Sequence, residues 1–496
     1  MFFEVLSNIL SLNVMLSIIG GVIAGISIGA MPGLTSTMGI ALLMPLTFTM
    51  EPTSGLMVLI GEFVGAIYGG SITAILINTP GTPSAAATLL DGYPMTQRGE
   101  AARALGISTV SSFTGGIISG IFLILIAPKL AEIALKFSAP EIFALAFFGI
   151  SIIASISGES ILKGLMSGFF GIMLALIGID NITGYARFTF KTTFLMKGLT
   201  FIPVLIGLFA MSQCFISIET LYEKRQIAKG ALKSSLPSLS DLKTILPTII
   251  RGGITGTFIG IIPGAGGDIS AFVSYDFEKR TSKHPELFGT GVPEGIAAPE
   301  SSNNGTTGGA LIPLLTLGIP GDGNTAVMLG ALMVHNLVPG PQLFVNQPVI
   351  VNSLFVGFML ANVAMLIFGL SGIRLFTKIV SIPKYILVPI IMVMCVVGSF
   401  SINNAFSDVA TMFVFGIIGY FLSKGGFPLS PIVLALILGP MAEGNFRRSL
   451  VMSHGSYSIF FTRPIACAFI MVAIFSFIFP IIKQNLARAN KKKGNK

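Results

Sequence analysis

Charged residues are scarce in this sequence: they make up 10% of the 496 residues, whereas 53% are hydrophobic. A soluble domain carries roughly 25% charged residues, so this chain has too few charges to coat a water-facing surface. Apolar stretches of about 20 residues, the length needed to cross a bilayer, recur from end to end, as at residues 6–28, 104–127, 199–219, 348–370 and 465–482. The composition therefore excludes a large soluble domain and predicts an all-α polytopic transmembrane protein.

Lysine and arginine are absent from two long segments, before Arg98 and between Lys283 and Arg374. The net charge of +9 comes largely from two basic segments, residues 223–243 and 488–496, as expected for cytoplasmic loops of a membrane protein. A nucleic-acid-binding protein would instead concentrate its cations on one folded face, together with a matching motif. No nucleic-acid partner is therefore expected, and the lipid bilayer is the surrounding medium.

Tryptophan is absent, and cysteine and histidine occur only three times each. Cys214, Cys395 and Cys467 lie far apart inside apolar segments, so neither disulfide nor metal-ligand spacing links them. The apolar start of the chain lacks the basic n-region of a cleaved signal peptide, and we expect it to remain as the first span. No cofactor is predicted.

Two motifs occur twice in the same order. GAMPG at residues 29–33 returns as GIIPG at residues 260–264, 231 positions later, and NTPG at residues 78–81 returns as GIPG at residues 318–321, 240 positions later. Recurrence of both motifs at nearly equal separation predicts two homologous halves.

The predicted organisation has four parts: a first transmembrane repeat (1–222), a basic cytoplasmic linker (223–243), a second transmembrane repeat with additional spans (244–482) and a basic cytoplasmic tail (483–496). A cation-free amino terminus is expected outside, whereas the second repeat starts inside. Repeats that start on opposite sides are inverted repeats, a common plan of secondary transporters. A parallel duplication is the alternative. Roughly 10–14 membrane segments are expected.

Some apolar runs are too short to span a bilayer. Residues 38–48, 310–317 and 431–438 are predicted to be half-helices or re-entrant hairpins, whose free backbone groups must be buried in protein or line a cavity. Residues 91–99 form a polar, turn-rich segment. It is either a gate or partner contact, or an ordinary loop with a helix starting at Glu100.

Four Pro-Gly breaks, each followed by small polar residues, lie in apolar surroundings. Proline removes a helix hydrogen bond and glycine lets the backbone turn, and unwound backbone with polar groups is how transporters bind ions at mid-depth. The alternative is a packed proline kink at each position. The predicted substrate-binding residues are Pro32, Gly33, Thr35, Asn78, Thr79, Pro80, Gly81, Thr82, Pro263, Gly264, Gly266, Asn303, Asn304, Pro320, Gly321, Asn324 and Thr325. Asn303 and Asn304 belong to a polar segment, residues 298–307, whose alternative interpretation is an exposed loop.

Three acidic residues, Glu62, Asp268 and Asp322, are placed where lipid or helix breaks are expected. Intramembrane acids are costly and point to cation binding or proton transfer, so all three are candidates for the coupling ion, with Na⁺ or H⁺ as that ion. For Glu62 the alternative is a protonated carboxyl between helices. For Asp322 the alternative is a cap on the helix that starts near Asn324.

The motifs resemble the tripartite tricarboxylate transporter family, specifically its large membrane subunit. The resemblance is carried by GAMPGLT (29–35), YGGSITAILINTPG (68–81), LDGYPMTQRG (90–99), GIIPGAG (260–266), APESSNN (298–304), IPLLTLGIPG (312–321) and AVMLGAL (326–332). It covers essentially the whole chain. Glu62 and Asp322 depart from the commonest residues of the family.

The resemblance implies a secondary transporter, not an enzyme, that imports citrate-like tri- or dicarboxylates across the bacterial inner membrane. A small membrane subunit and a periplasmic solute-binding protein are the implied partners. Two other classes stay open: a membrane-embedded transferase acting on a lipid-linked substrate, and an ion channel. The first lacks an acid–base cluster in a polar loop, and the second usually builds its filter between subunits, whereas these breaks pair within one chain.

Overall fold

The computed structural model describes residues 2–31, 34–151, 160–180, 182–219, 236–264, 266–372 and 384–475. Within these ranges the regular elements are helices, apart from a two-stranded antiparallel ribbon of β1 (Gly178–Ile179) and β2 (Ala186–Arg187). Seven described helices are long and apolar enough to cross a membrane, and six apolar helices of 10–17 residues accompany them. The predicted all-α polytopic membrane fold is confirmed.

The first part of the chain contains ten described helices. They are α1 (Phe2–Ile9), α2 (Leu12–Gly29), α3 (Ser36–Thr47), α4 (Pro52–Ile77), α5 (Ala86–Gln97), α6 (Ala101–Ala134), α7 (Ala139–Ser151), α8 (Ile161–Ala175), α9 (Thr193–Met196) and α10 (Phe201–Glu219). A 3₁₀ turn at Pro83–Ala85 precedes α5, and a π-helical stretch at Ile206–Met211 lies inside α10.

The second part begins with α11, which starts through a capping box between Ser238 and Asp241. Its described helices are α11 (Leu239–Ile261), α12 (Gly266–Thr281), α13 (Pro293–Leu317), α14 (Gly323–Val334), α15 (Pro341–Asn346), α16 (Pro348–Ser371), α17 (Lys384–Asn403), α18 (Phe406–Lys424), α19 (Ser430–Met452), α20 (Ile459–Thr462) and α21 (Pro464–Phe475).

Two helix pairs, α2 with α4 and α11 with α13, meet at backbone contact through glycines. A Cβ at Gly25 would overlap the backbone carbonyl oxygen of Glu62, and a Cβ at Gly256 would overlap that of Ser302. Gly25 and Gly256 are 231 positions apart and Glu62 and Ser302 are 240 apart, the same separations as the repeated motifs. Small residues allow such close approach of membrane helices. The two pairs thus share one contact at positions related by the sequence repeat.

After α4 and after α13 the chain turns back along the helix it has just left. The backbone N–H of Gly81 donates to the carbonyl oxygen of Gly70 at 3.0 Å. In the second part, a Cβ at Gly321 would lie 2.8 Å from the Cα atom of Ala310. The 3₁₀ turn before α5 and the short helix α14 therefore start beside the interior of α4 and α13 rather than beyond their ends.

Helices α4 and α13 run in opposite directions. Helix α5 packs against the end of α4, and Arg98, just after α5, donates to the carbonyl oxygen of Thr290 at 2.6 Å, shortly before α13 begins. At the opposite end, His335 lies just after α14 and is hydrogen-bonded to Thr47 at 3.3 Å, shortly before α4 begins. The end of one helix therefore lies by the start of the other.

Several local predictions are corrected. The run at residues 38–48 lies in a short helix, α3, except for its last residue, Phe48, which is the C-cap. Residues 310–317 and 431–438, by contrast, are parts of the 25-residue α13 and the 23-residue α19. The polar residues 298–307 are helical and buried inside α13, since glycines of α6 and α11 pack directly against them. Residues 91–97 belong to α5, and Glu100 is the N-cap of α6. Pro32, Gly33, residues 223–235 of the linker and the whole tail lie outside the described residues.

Candidate functional site at the helix breaks

A cavity of about 470 Å³ lies among the segments that follow the four breaks; we call it the central cavity. Its wall includes residues 35–38 after the first break, 82–84 after the second, 266–268 after the third and 322–324 after the fourth. Ile67, three residues of α10 (Phe209, Ser212 and Gln213) and residues 423 and 427–430 complete it. Segments far apart in the sequence therefore converge on one space.

Four of the helical segments that begin at the central cavity follow the breaks: α3, the 3₁₀ turn, α12 and α14. Thr35 caps α3 by accepting the backbone N–H of Met38 at 3.3 Å. Asp322 caps α14 by accepting the backbone N–H of Thr325 at 2.8 Å. The first N–H groups of a helix have no partner within it, and an α-helix carries roughly half a positive charge at this end. The arrangement favours an anion in the cavity.

Each part of the chain supplies two of these four segments, and the parts interlock. Helix α3 packs against α14, and the 3₁₀ turn packs against α12. The hydroxyl of Thr37 donates to Oδ1 of Asn324 at 2.8 Å, across 287 positions of sequence. The backbone of Ser84, in the 3₁₀ turn, lies beside the carboxylate of Asp268 at the start of α12. The cavity thus forms only where both parts meet.

Two aspartates, Asp268 and Asp322, are the charged residues of the cavity wall, and no described lining residue is Lys, Arg or His. The Asp322 carboxylate accepts from the hydroxyl of Thr325 at 2.7 Å and from the side-chain amide of Asn324 at 3.1 Å, besides its backbone bond. The capping geometry weighed from the sequence is therefore present, and the carboxylate still lies at the wall. Carboxylate and amide oxygens are suitable ligands for a hard cation.

Glu62 is fully buried in α4, behind the wall residue Ser36. Its carboxylate occupies the space beside Gly39 of α3, so that any side chain at position 39 would collide with it. Among the described residues, neither carboxylate oxygen has a hydrogen-bond partner, and the nearby Ser36 hydroxyl also lacks one. In the second part, Ser302 stands at the position related to Glu62 and is hydrogen-bonded to Ser270, at the position related to Gly39. An unpaired buried carboxylate is costly, which favours binding of a proton or cation.

A second buried carboxylate, Glu300 of α13, joins the two parts of the chain. It accepts hydrogen bonds from the hydroxyls of Thr88, Ser108 and Ser112, the last at 2.9 Å. Because these donors come from α5 and α6, Glu300 holds α13 to the first part. The polar segment at 298–304 was the signal for it, although sequence reasoning selected the asparagines instead.

The predicted site residues fall into three groups. Six line the central cavity: Thr35, Thr82, Gly266, Asp268, Asp322 and Asn324. Others shape the turns beside it or lie directly behind it: Pro80, Gly81, Pro263, Gly264, Pro320, Gly321 and Thr325. Three do not reach it, because Asn78 and Thr79 are exposed at the end of α4 and Asn304 is enclosed within α13. Asn303 is buried as well, but its side chain lies directly behind the wall residue Gly267.

Sequence reasoning missed the contribution of α10. Ser212 and Gln213 line the cavity, and the only signal was a polar pair inside the apolar run at residues 199–219. Ser36, Thr37 and Ser84 also line it, and they belong to the polar residues that follow the breaks.

Comparisons with known proteins find one family and two similar proteins. The profile of the Tripartite tricarboxylate transporter TctA family matches residues 15–434. The chain is 37% identical over 471 residues to the "Uncharacterized 52.8 kDa protein in TAR-I ttuC' 3'region" of Agrobacterium vitis, covering 95% of this chain and 94% of that protein. It is 36% identical over 232 residues to the "Uncharacterized protein in TAR-II ttuC' 3'region" of the same organism, covering 46% of this chain and 96% of that protein. No solved structure matches.

Proposed function

Because the chain belongs to the Tripartite tricarboxylate transporter TctA family, we propose that it is the large permease subunit of a binding-protein-dependent secondary transporter. It imports tri- or dicarboxylates, citrate-like anions, across the bacterial inner membrane and couples uptake to a gradient of Na⁺ or H⁺. A small membrane subunit and a periplasmic solute-binding protein work with it. Family membership as a tricarboxylate transporter subunit is the premise, and the coupling, the substrate range and these partners are the proposal.

The chemistry of the central cavity carries the proposal. Helix N-termini and hydroxyl groups face it, but its two charged wall residues, Asp268 and Asp322, are both acidic. A carboxylate bound beside them alone would meet two like charges, which is unfavourable unless a cation or proton is bound as well. Obligatory binding of an anion together with a cation is what coupled uptake requires. This combination distinguishes the proposal from an anion channel, which would line its path with basic residues.

We assign the substrate carboxylates to the backbone N–H groups at Thr82 and Gly266 and to the polar side chains of Thr35, Thr37 and Asn324. All five residues line the cavity. The Thr37–Asn324 hydrogen bond joins the two parts of the chain. A ligand that binds these two side chains would therefore replace a contact between α3 and α14. Discontinuous helices whose N-termini meet an anionic group are the usual form of such a site in secondary transporters.

The coupling ion is assigned to the three acidic residues named from the sequence. Asp268 and Asp322 share the cavity with the substrate, and Glu62 lies behind Ser36 with both oxygens unpaired among the described residues. A hard cation needs several oxygen ligands, which the cavity wall offers. The dry environment of Glu62 suits a proton better than a metal ion.

The two parts of the chain are proposed to be inverted repeats. The opposite directions of α4 and α13, the matched glycine contacts and the paired returns after each helix all support this arrangement. Arg98, Arg103 and Lys283 lie at the end where α11 and α13 begin, which favours the cytoplasm for that end. Alternating access would then move one interlocked pair of segments against the other.

Uptake into proteoliposomes tests the function. The subunit is reconstituted with and without its small subunit and binding protein, and radiolabelled citrate is supplied under an imposed Na⁺ or H⁺ gradient. We expect saturable accumulation that requires both the binding protein and one of the gradients. Absence of accumulation for every di- and tricarboxylate tried, under either gradient, would contradict the proposal, and a non-saturable flux without a gradient would indicate a channel.

A matched pair of threonine substitutions locates the site. Thr37→Ala removes a hydroxyl from the cavity wall, whereas Thr79→Ala removes an exposed hydroxyl at a break, where it donates only to the nearby carbonyl oxygen of Ile77. We expect the KM for citrate to rise several-fold in the first variant, because one hydrogen bond contributes about 1 kcal/mol. The second variant should transport like the unaltered protein. Equal KM values in both variants would place the substrate elsewhere.

A further inference from the structure

A second cavity, of about 700 Å³, lies on the protein apart from the central one; we call it the outer cavity. Its wall is formed by the end of α8, the β-ribbon, the segment from α9 to the start of α10, and α19. Neither the helix breaks nor the acidic residues of the central cavity take part in it. Nothing in the proposed mechanism so far uses this space.

Two helices connect the outer cavity with the central one. Helix α14 has Asn324 at the central cavity and Met333 at the outer, and α19 has Ser430 at the central cavity and Glu443 at the outer. With a rise of 1.5 Å per residue, these pairs are about 14 Å and about 20 Å apart along their helices. Because α14 ends away from the side where α11 and α13 begin, the outer cavity lies toward the face proposed to be periplasmic.

The acids of the outer cavity are already neutralised. Glu443 accepts hydrogen bonds from both terminal nitrogens of Arg187, at 2.8 and 3.2 Å, and Asp180 accepts one from Arg447 at 2.6 Å. The backbone N–H of Ile182, a neighbouring hydroxyl and Arg447 hold the pKa of Asp180 well below its usual range. Asp180 therefore stays ionised and stays paired with Arg447 throughout the physiological pH range.

Two basic residues of the outer cavity are left over. Lys197 and Arg448 both line it, and within the described part of the chain neither has an ion-pair or hydrogen-bond partner. In addition, the buried Nε of Arg187 has no hydrogen-bond partner among the described residues. The outer cavity thus offers unused cationic donors, whereas the central cavity offers none. A guanidinium group binds carboxylates with well-defined geometry, and an ammonium group adds charge.

We propose that the outer cavity is an entry site that binds a small carboxylate anion through Arg448 and Lys197 before the anion reaches the central cavity. The inference rests on the proposed function, because it assigns the first binding step of the same substrate. Cationic clefts raise the local concentration of an anion and its association rate, and the effect weakens with salt. When the anion moves from the outer to the central cavity, it leaves the basic side chains and binds to helix N-termini together with a cation.

Transport kinetics of the complete transporter test the entry site. Arg448→Gln and Lys197→Gln are compared with Lys191→Gln, which removes an exposed cation outside the cavity wall. We expect the KM for citrate to rise about tenfold in the Arg448→Gln, Lys197→Gln double variant with kcat unchanged, equivalent to about 1.4 kcal/mol. The salt dependence of KM should also weaken. A double variant that matches Lys191→Gln in KM and salt dependence would overturn the proposal.

A labelling measurement that does not depend on transport separates the ligand sources. Met196→Cys, at an exposed residue of the same wall that leaves Arg448 and Lys197 in place, is introduced after the three native cysteines are replaced. The protein is placed in nanodiscs of phosphatidylcholine alone. Citrate should slow its modification by a soluble thiol reagent, whereas phosphatidylglycerol in the nanodisc should not. Protection by phosphatidylglycerol but not by citrate would show a lipid-headgroup site and refute the entry site. If citrate protects but no citrate is taken up, the proposed function fails while the anion site stands.

Discussion

Substitution of Asp322 by Asn separates its role as a cap from its role as a charge. One carboxylate oxygen, Oδ1, accepts the backbone N–H and hydroxyl of Thr325 at 2.8 and 2.7 Å, and an amide oxygen can accept both. Asn is about as good an N-cap as Asp. The other oxygen accepts from the amide of Asn324 at 3.1 Å, and that bond is lost. The expected loss of stability is therefore about 1 kcal/mol.

The effect on a bound cation should be larger. Two unit charges 4 Å apart interact by about 4 kcal/mol at an effective dielectric constant of 20. Even if desolvation offsets more than half of this, the apparent affinity for the coupling cation should fall by at least about tenfold, or 1.4 kcal/mol. Asp268 alone would remain as a charged group on the wall.

The assay measures citrate uptake as a function of Na⁺ concentration and, separately, of external pH, with thermal unfolding of the same preparation. Asp322→Ala is the comparison variant, because it removes both the cap and the charge. We expect Asp322→Asn to unfold close to the unaltered protein yet to need far more cation. An Asn variant with an unaltered Na⁺ and pH dependence would exclude Asp322 from the cation site.

Three other changes test the fold and its orientation. Gly256→Ala should destabilise the protein by more than 1 kcal/mol, because its Cβ would overlap a backbone carbonyl of α13. Gly20→Ala should not, because no atom lies within 4 Å of the added Cβ. Thermal unfolding of the detergent-solubilised protein measures both. A cysteine in place of Lys283 should resist an impermeant thiol reagent applied from the periplasm and one in place of Lys191 should react; the reverse pattern would contradict the topology. Asp91→Ala should lower the free energy of unfolding by several kcal/mol. The Asp91 carboxylate accepts hydrogen bonds from three backbone N–H groups before α13 and from a tyrosine hydroxyl, and the substitution would leave these donors unpaired. An unfolding free energy equal to that of the unaltered protein would mean that water takes the place of the carboxylate.

The sequence was most informative where local chemistry decides the structure. Pro80 and Pro320 each precede a glycine in an apolar region, and this combination indicates a broken helix whatever surrounds it. The polar residues after the breaks, such as Thr35 and Asn324, could therefore be selected as lining residues before the fold was known. The membrane class followed from composition alone.

At residues 298–307, where the sequence left an exposed loop open as an alternative, tertiary packing overrides local polarity. Asn303 and Asn304 lie among serines, threonines and glycines, a composition that is typical of loops, yet they are inside a continuous helix. Neighbouring helices present glycines to that segment, so its polar side chains are enclosed rather than solvated. Contacts across the two parts, such as Thr37 with Asn324 or Arg187 with Glu443, have no trace in a single sequence.

The interlocking of α3 with α14 and of the 3₁₀ turn with α12 has a consequence for how the protein is made. During synthesis, the first half is in the membrane well before Asn324 leaves the ribosome, and until then Thr37 and Ser84 lack the partners they have in the finished protein. Until α14 is synthesised, the polar ends of α3 and of the turn after α4 must be hydrated or bound by a chaperone. Completion of the binding site is thus a late event of biogenesis, and nascent chains released before α14 would carry exposed polar breaks that quality-control proteases can recognise.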